Sequence, residues 1–217
     1  ALLLDSGHKL EEGLPRDVVN RYLDLLYGQD SQQAQTAPDQ ERGPVSSVVQ
    51  GGAAQELFHT RSSYNPGEYR WGDRAATITD FQFAINEMAY PPVVESGAKG
   101  ELLVWIRFHE DIIRPVFGMT LKTREGVTLY GINTEIQAST GFEKMGQKGA
   151  AVLIRVKLNF HLAGGDYFVS VGIASLSRGS DAVPHDRRYD AIHLRVAPTP
   201  QFLGLSDLGG TLEVTSC

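Results

Sequence analysis

The chain carries a single cysteine, Cys217, among 217 residues. One thiol excludes an internal disulfide framework and fits a reducing compartment. No apolar run approaches the roughly 20 residues that a membrane-crossing helix needs, and the longest candidate, Ala150 to Ile154, is far too short. The opening ALLLDSG has no positive segment before its apolar run and no signal-type cleavage site, so an export signal is not expected. Positive charge is also in deficit, with 20 Lys and Arg against 26 Asp and Glu. The net charge of −6 argues against nucleic acid as a partner, because phosphate binding calls for a basic face.

Motifs for catalysis are missing too. There is no G-x-x-x-x-G-K-S/T to cradle nucleotide phosphates and no G-x-S-x-G to present a nucleophilic serine. The six histidines (His8, His59, His109, His161, His185, His193) lack close metal-ligand spacing. His185-Asp186 falls in a stretch, Ser177 to Arg188, that reads as a solvated loop. Glu110-Asp111 reads as a loop pair after a strand, not as two carboxylates set across a cleft. The expectation is a chain without catalytic residues, metal or cofactor.

What is present is alternation. Arg114 to Thr134 reads as a β-hairpin, with Phe117, Met119 and Leu121 on one side of the first arm and Thr120 and Lys122 on the other. Gly126 sits where a short hairpin loop needs a positive φ. On the return arm Val127, Leu129 and Gly131 oppose Thr128, Tyr130 and Ile132. Further strands are expected over 76–86, with Thr77, Thr79, Phe81, Phe83 and Ile85 sharing a side, and over 101–109, 150–160, 166–174 and 189–196. About seven alternating strands without strong helical periodicity predict an all-β fold, an immunoglobulin-like antiparallel β-sandwich. A last strand-like piece, Thr211 to Thr215, is a ready donor for pairing outside its own sandwich.

The first 27 residues differ from the rest. A short apolar strand over 1–4 and a turn lead to Pro15, after which Val18, Val19, Tyr22, Leu23, Leu25 and Leu26 recur at helical spacing. Such a stripe must bury against something, which suggests a tail cut from a larger domain. Residues 28–60 read as a linker, poorest in large apolar side chains over Gly28 to Gln55, with a short helix expected around 53–58. Residues 61–217 form the sandwich.

Two pieces resemble a known family. ALLLDSGHKLEEGLPRDVVNRYLDLL resembles the C-terminal end of ABC-transporter ATPase domains of the polysaccharide-export type. RWGDRAATITDF followed by RPVFGMTLKTREGVTLYGINT is similar to the carbohydrate-binding domain fused to those ATPases, the Wzt type. The resemblance implies a cytoplasmic module, peripheral to the bacterial inner membrane, that recognises an undecaprenyl-linked O-antigen polysaccharide for an ABC exporter. It also implies a homodimer, because the parent ATPases pair, and contact with the transporter's membrane subunit. ATP hydrolysis is not implied for this chain, which lacks the nucleotide-binding motifs.

A sugar site needs an accessible ring beside planar donors and acceptors. Trp105, Arg107 and His109 share the outward parity of their strand, and Arg155, Lys157 and Asn159 are expected beside them in the same sheet. Tyr69 and Trp71, before the first strand, are candidates either for binding or for plugging the sandwich end. A competing patch on the opposite sheet would use Tyr130, Phe168 and His193, and parity does not choose between the faces. Core burial is the alternative reading of Trp105, and solvated edge charge that of Arg107 and Arg155. A sandwich that docks other proteins without binding glycan, or an enzyme acting on the glycan, are the competing functions.

Overall fold

Two antiparallel sheets face each other across one apolar core in the computed structural model, which describes residues 1–27, 55–137, 141–176, 182–199 and 202–215. The chain opens with a hairpin, β1 (Leu2–Asp5) and β2 (His8–Glu12), and the helix α1 (Pro15–Tyr27). The hairpin's second strand was not expected. Pro15 starts the helix, where its missing N–H costs nothing. One sheet has the order β3 (Tyr69–Trp71), β11 (Ala182–Val196), β10 (Gly165–Leu176), β7 (Pro115–Thr123), β8 (Thr128–Asn133). The other runs β5 (Met88–Ala89), β4 (Ala76–Ile85), β6 (Ala98–Phe108), β9 (Ala151–Phe160). The all-β sandwich expectation holds.

The core follows the alternation. Leu102, Val104, Ile106 and Phe108 from β6 meet Phe117 and Met119 from β7 and Val169, Val171 and Ile173 from β10, all buried. Each such side chain contributes about 1.5–3 kcal/mol of burial. Two bulges change the expected parity. The register shift between Ile78 and Asp80 puts Ala76 and Ile78 in the core before it and Phe81, Phe83 and Ile85 after it. Thr77 therefore does not share the face of Phe81. A second shift, opposite Leu121 and Lys122, lets Leu129 pack on the core as Ile132 does. The hairpin turn itself is as expected, with Gly126 at φ 87°.

One lateral seam of the sandwich is closed by charge. The stretch read as linker is described from residue 55 on, and there Phe58 is wholly buried against Phe81, ring centroids 4.4 Å apart. The short helix expected around 53–58 is a 3-10 turn over Phe58–Thr60; residues 53 and 54 lie outside the described residues, as does the rest of 28–54. Leu57 N–H donates to the Thr79 carbonyl at 2.8 Å, tying this strap to β4. Arg188, 1% exposed, lays its guanidinium 3.6 Å from the Phe58 ring centroid and grips Glu68 through Nε (3.0 Å) and Nη2 (2.8 Å). Asp186 accepts from Arg70, from Arg74 and from the Ile78 N–H.

These contacts correct the loop reading of His185-Asp186. Strand β11 begins at Ala182 and buries both residues. A carboxylate with two guanidinium partners and a backbone donor loses little by leaving water. The parity pattern does not register such a strand because its inward positions carry Asp and Arg. Residues 177–181 of that expected loop are outside the described set. The terminal piece Thr211–Thr215 joins no strand, and Leu212 and Val214 are fully exposed.

Candidate functional site

The opposite seam stays open. Strands β8 and β9 end their sheets on the same side of the sandwich, and each has one neighbour in its sheet. Between them lies a cleft of about 550 Å³. Its floor is apolar, with Phe117, Phe142, Ile132 and Ile154, and its rim carries Tyr130, Asn133, Gln137, Arg155 and Lys157. Tyr130 pairs with Leu121 in the β7–β8 register, so it leans toward the space between the sheets, and it remains 44% exposed because β8 is the edge of its sheet among the described residues.

A second depression of about 570 Å³ lies toward the other end of β9, lined by Asn86, Glu87, Lys99, Glu101, Lys157 and Asn159. Asn86 and Glu87 both have positive φ, 45° and 70°, as a tight turn between β4 and β5 requires. Lys157 lines both depressions, so they meet along β9. Arg155 donates to Glu101 at 2.7 Å, and both side chains reach water, so the pair is cheap to rearrange around a ligand. The two depressions thus offer one accessible ring, four side-chain amides and three basic groups along a trough, a set suited to a hydroxyl-rich chain with apolar C–H faces.

The expected outward face of β6 and β9 exists, and its members have different fates. The register pairs Trp105 with Leu153, Leu103 with Arg155 and Lys99 with Asn159, so these residues do share a face. Arg155 and Asn159 are exposed there and line the two depressions. Trp105 is only 9% exposed, which leaves little ring for a ligand. His109 is engaged by Thr77 at 2.8 Å, and Arg107 is half-buried with a partner of its own. Tyr69 and Trp71 form the edge strand β3, where both pack on Tyr189, at 6.4 and 6.3 Å between centroids. They neither plug a sandwich end nor join the β8–β9 trough.

The competing patch does not form as a unit. Phe168 and His193 stack at 5.1 Å on the outer face of the five-stranded sheet, while Tyr130 leans into the open seam. Residues missed from sequence are Asn133, Gln137 and Met145, which enter the seam from the end of β8 and the loop beyond it. The closeness of β8 to β9 leaves no mark in either strand's own alternation.

A serine, a histidine and an aspartate also meet. His185 Nδ1 lies 2.9 Å from Asp73 Oδ1, and its Nε2 lies 3.0 Å from Ser175 Oγ. The relay order is that of a nucleophilic serine. His185 is buried, however, and neither of the two depressions touches the three residues. The arrangement fastens the loop at Asp73 to the β10–β11 hairpin. Among the described residues no group of three or more His, Cys, Asp or Glu side chains is placed to hold a metal ion. No helix among them is long and apolar enough to cross a membrane.

The chain is thus an all-β sandwich of immunoglobulin size with a polar trough along one open seam. Residues 67–208 match the family model of the Wzt C-terminal domain, and the chain belongs to that family. The crystal structure of the C-terminal domain of Wzt is 30% identical, with a TM-score of 0.65, over 74% of this chain and 96% of that one. A CARDB domain from Pyrococcus furiosus, solved with di-metal ions, is 10% identical over 58% of this chain and 93% of that one, with a TM-score of 0.29. No curated protein matches. By family, the chain is a polysaccharide-recognition domain of an ABC transporter.

Proposed function

We propose that this chain is a non-catalytic carbohydrate-binding module that grips an undecaprenyl-linked O-antigen polysaccharide on the cytoplasmic side of the inner membrane. It presents the glycan to the membrane subunit of its exporter in lipopolysaccharide biosynthesis. The supporting observation is the open seam, where the half-exposed Tyr130 ring faces Asn133, Gln137, Arg155 and Lys157 across an apolar floor. A pyranose laid on the ring would bury its C–H face and turn its hydroxyls to the amides and the guanidinium.

The N-terminal unit is read as the end of an ATPase domain, supported by the exposed Leu2, Leu4, Leu10 and Tyr22, an apolar surface that a hairpin and one helix leave uncovered. The module works as a homodimer. The exposed Leu208, Leu212 and Val214 of the tail favour that reading, and a second copy would raise the effective concentration of a weak glycan site. The same exposed surfaces favour the second reading, a sandwich that docks transporter or biosynthetic subunits.

Calorimetric titration of the chain with cognate O-antigen oligosaccharide tests the proposal. Saturable heat whose affinity falls about tenfold in Tyr130→Ala supports it. Absence of binding would favour the docking sandwich. New reducing ends, or labelling of Ser175 by a fluorophosphonate, would turn the reading toward an enzyme.

A further inference from the structure

We propose that the outer face of the five-stranded sheet is a docking surface for α1, held by a two-ended amide clasp at Asn20, from which the helix leaves and returns while the sandwich stays folded. Asn20 is buried on the sandwich, and both ends of its carboxamide are used. Its Nδ2 donates to Asp190 Oδ2 at 2.8 Å, and its Oδ1 accepts from Lys122 Nζ at 3.2 Å. Lys122, on the outward parity of β7, also sits 5.4 Å from the Tyr189 ring centroid.

The receiving surface is built on a bulge. Asp190 has φ 54°, a conformation few residues other than Gly, Asn and Asp adopt at low cost. Its backbone N–H donates to Ser170 Oγ at 2.8 Å, and its carbonyl accepts from Asn65 Nδ2 at 2.7 Å. Those two contacts hold the Asp190 backbone without help from the helix. The carboxylate is thereby presented at a set place for an incoming amide.

The docking is reversible because its described contacts are small and polar. Among the described side chains of α1, only Val18 and Asn20 are buried. Lys122 and Asp190 are buried charged residues, and burial pushes the Lys122 ammonium below its ordinary pKa, so water regained on undocking offsets part of the lost contact. Beside the start of the helix a depression of about 540 Å³, lined by Leu14, Pro15, Phe168 and His193, opens the edge of the contact to water. Because α1 precedes the sandwich in the chain, docking sets where the sandwich lies relative to the segment before it.

The amide chemistry supplies the test on the whole chain. Asn20→Asp removes the donor and sets a second carboxylate against Asp190. Amide hydrogen exchange in α1 is expected to quicken by about tenfold or more, the scale of one charge-assisted hydrogen bond, with β10 exchange and the melting temperature unchanged. Asn20→Asp combined with Asp190→Asn re-creates one donor and one acceptor and is expected to restore slow exchange. Unchanged α1 exchange in the single variant overturns the proposal, as does failure of the double variant to recover. Joint acceleration of α1 and β10 also overturns it, because the clasp would then belong to the sandwich core.

Discussion

The two lateral seams of this sandwich are made of similar residue types used in opposite ways. On the closed seam, Arg188, Asp186, Arg70 and Glu68 turn inward and satisfy one another under the strap around Phe58. On the open seam, Arg155, Lys157, Asn133 and Gln137 stand at the rim of a cleft beside a half-exposed tyrosine. A charge paired in the dry interior holds structure, whereas one left at a wet rim keeps its hydrogen-bonding capacity for a ligand. Substitutions should therefore separate cleanly, the first seam reporting in stability and the second in affinity.

The largest effect is expected at the closed seam. Arg188→Ala leaves Glu68 and the Ile78 carbonyl without their buried donor, and should cost about 3–5 kcal/mol in denaturant unfolding. A loss under 1 kcal/mol would mean that the seam is not held by charge. Trp105→Ala comes next, at about 3 kcal/mol, because the ring is nearly covered although it faces outward. Unaltered glycan affinity in the folded fraction would place Trp105 with structure; a lost affinity at full stability would return it to the site.

Tyr130→Ala should do the reverse, weakening glycan binding about tenfold, or 1.4 kcal/mol, with unfolding shifted by less than about 1 kcal/mol. Equal changes in both measurements would erase the distinction between the seams. Alkaline titration sharpens it further. Burial pushes the Tyr90 phenol up to about 12, and its hydroxyl donates to the Phe81 carbonyl at 2.7 Å. The unfolded phenol ionises near 10, so this stability is complete below pH 10 and is lost as pH rises toward 12. The Tyr90 share of the loss should be about 1 kcal/mol after solvent screening, and Tyr90→Phe should remove that share while leaving the part due to Tyr64, whose phenol burial also pushes up to about 12. Arg155→Ala is the smallest, within about 0.5 kcal/mol of wild-type stability because its partner Glu101 is also wet. A larger loss would show that this ion pair braces β6 to β9.

Much of the sandwich was legible because alternation is a local property. Val152, Ile154, Val156 and Leu158 declare which side of β9 faces the core without reference to any other strand. Bulges broke that reading at Thr77 and Leu129, since one extra residue reverses parity with no change in residue types. The start of β11 was misread because Asp186 and Arg188 look like solvated loop, and only distant partners at Glu68, Arg70 and Arg74 make their burial tolerable. Parity placed Arg155 and Asn159 on one exposed face, as the structure does, whereas it grouped Tyr130 with Phe168 and His193, which lie on a different surface.

By itself, the sequence determined an all-β sandwich with a charged hairpin turn at Gly126 and a distinct N-terminal helix, because strand parity and helical spacing are written in residues a few positions apart. Only the tertiary structure decided which edges stay unpaired, which charges go dry and where Asn20 lands. Those outcomes depend on groups more than a hundred positions apart in the chain, such as Asn20 and Asp190, whose energies appear only once the sheets have brought them together.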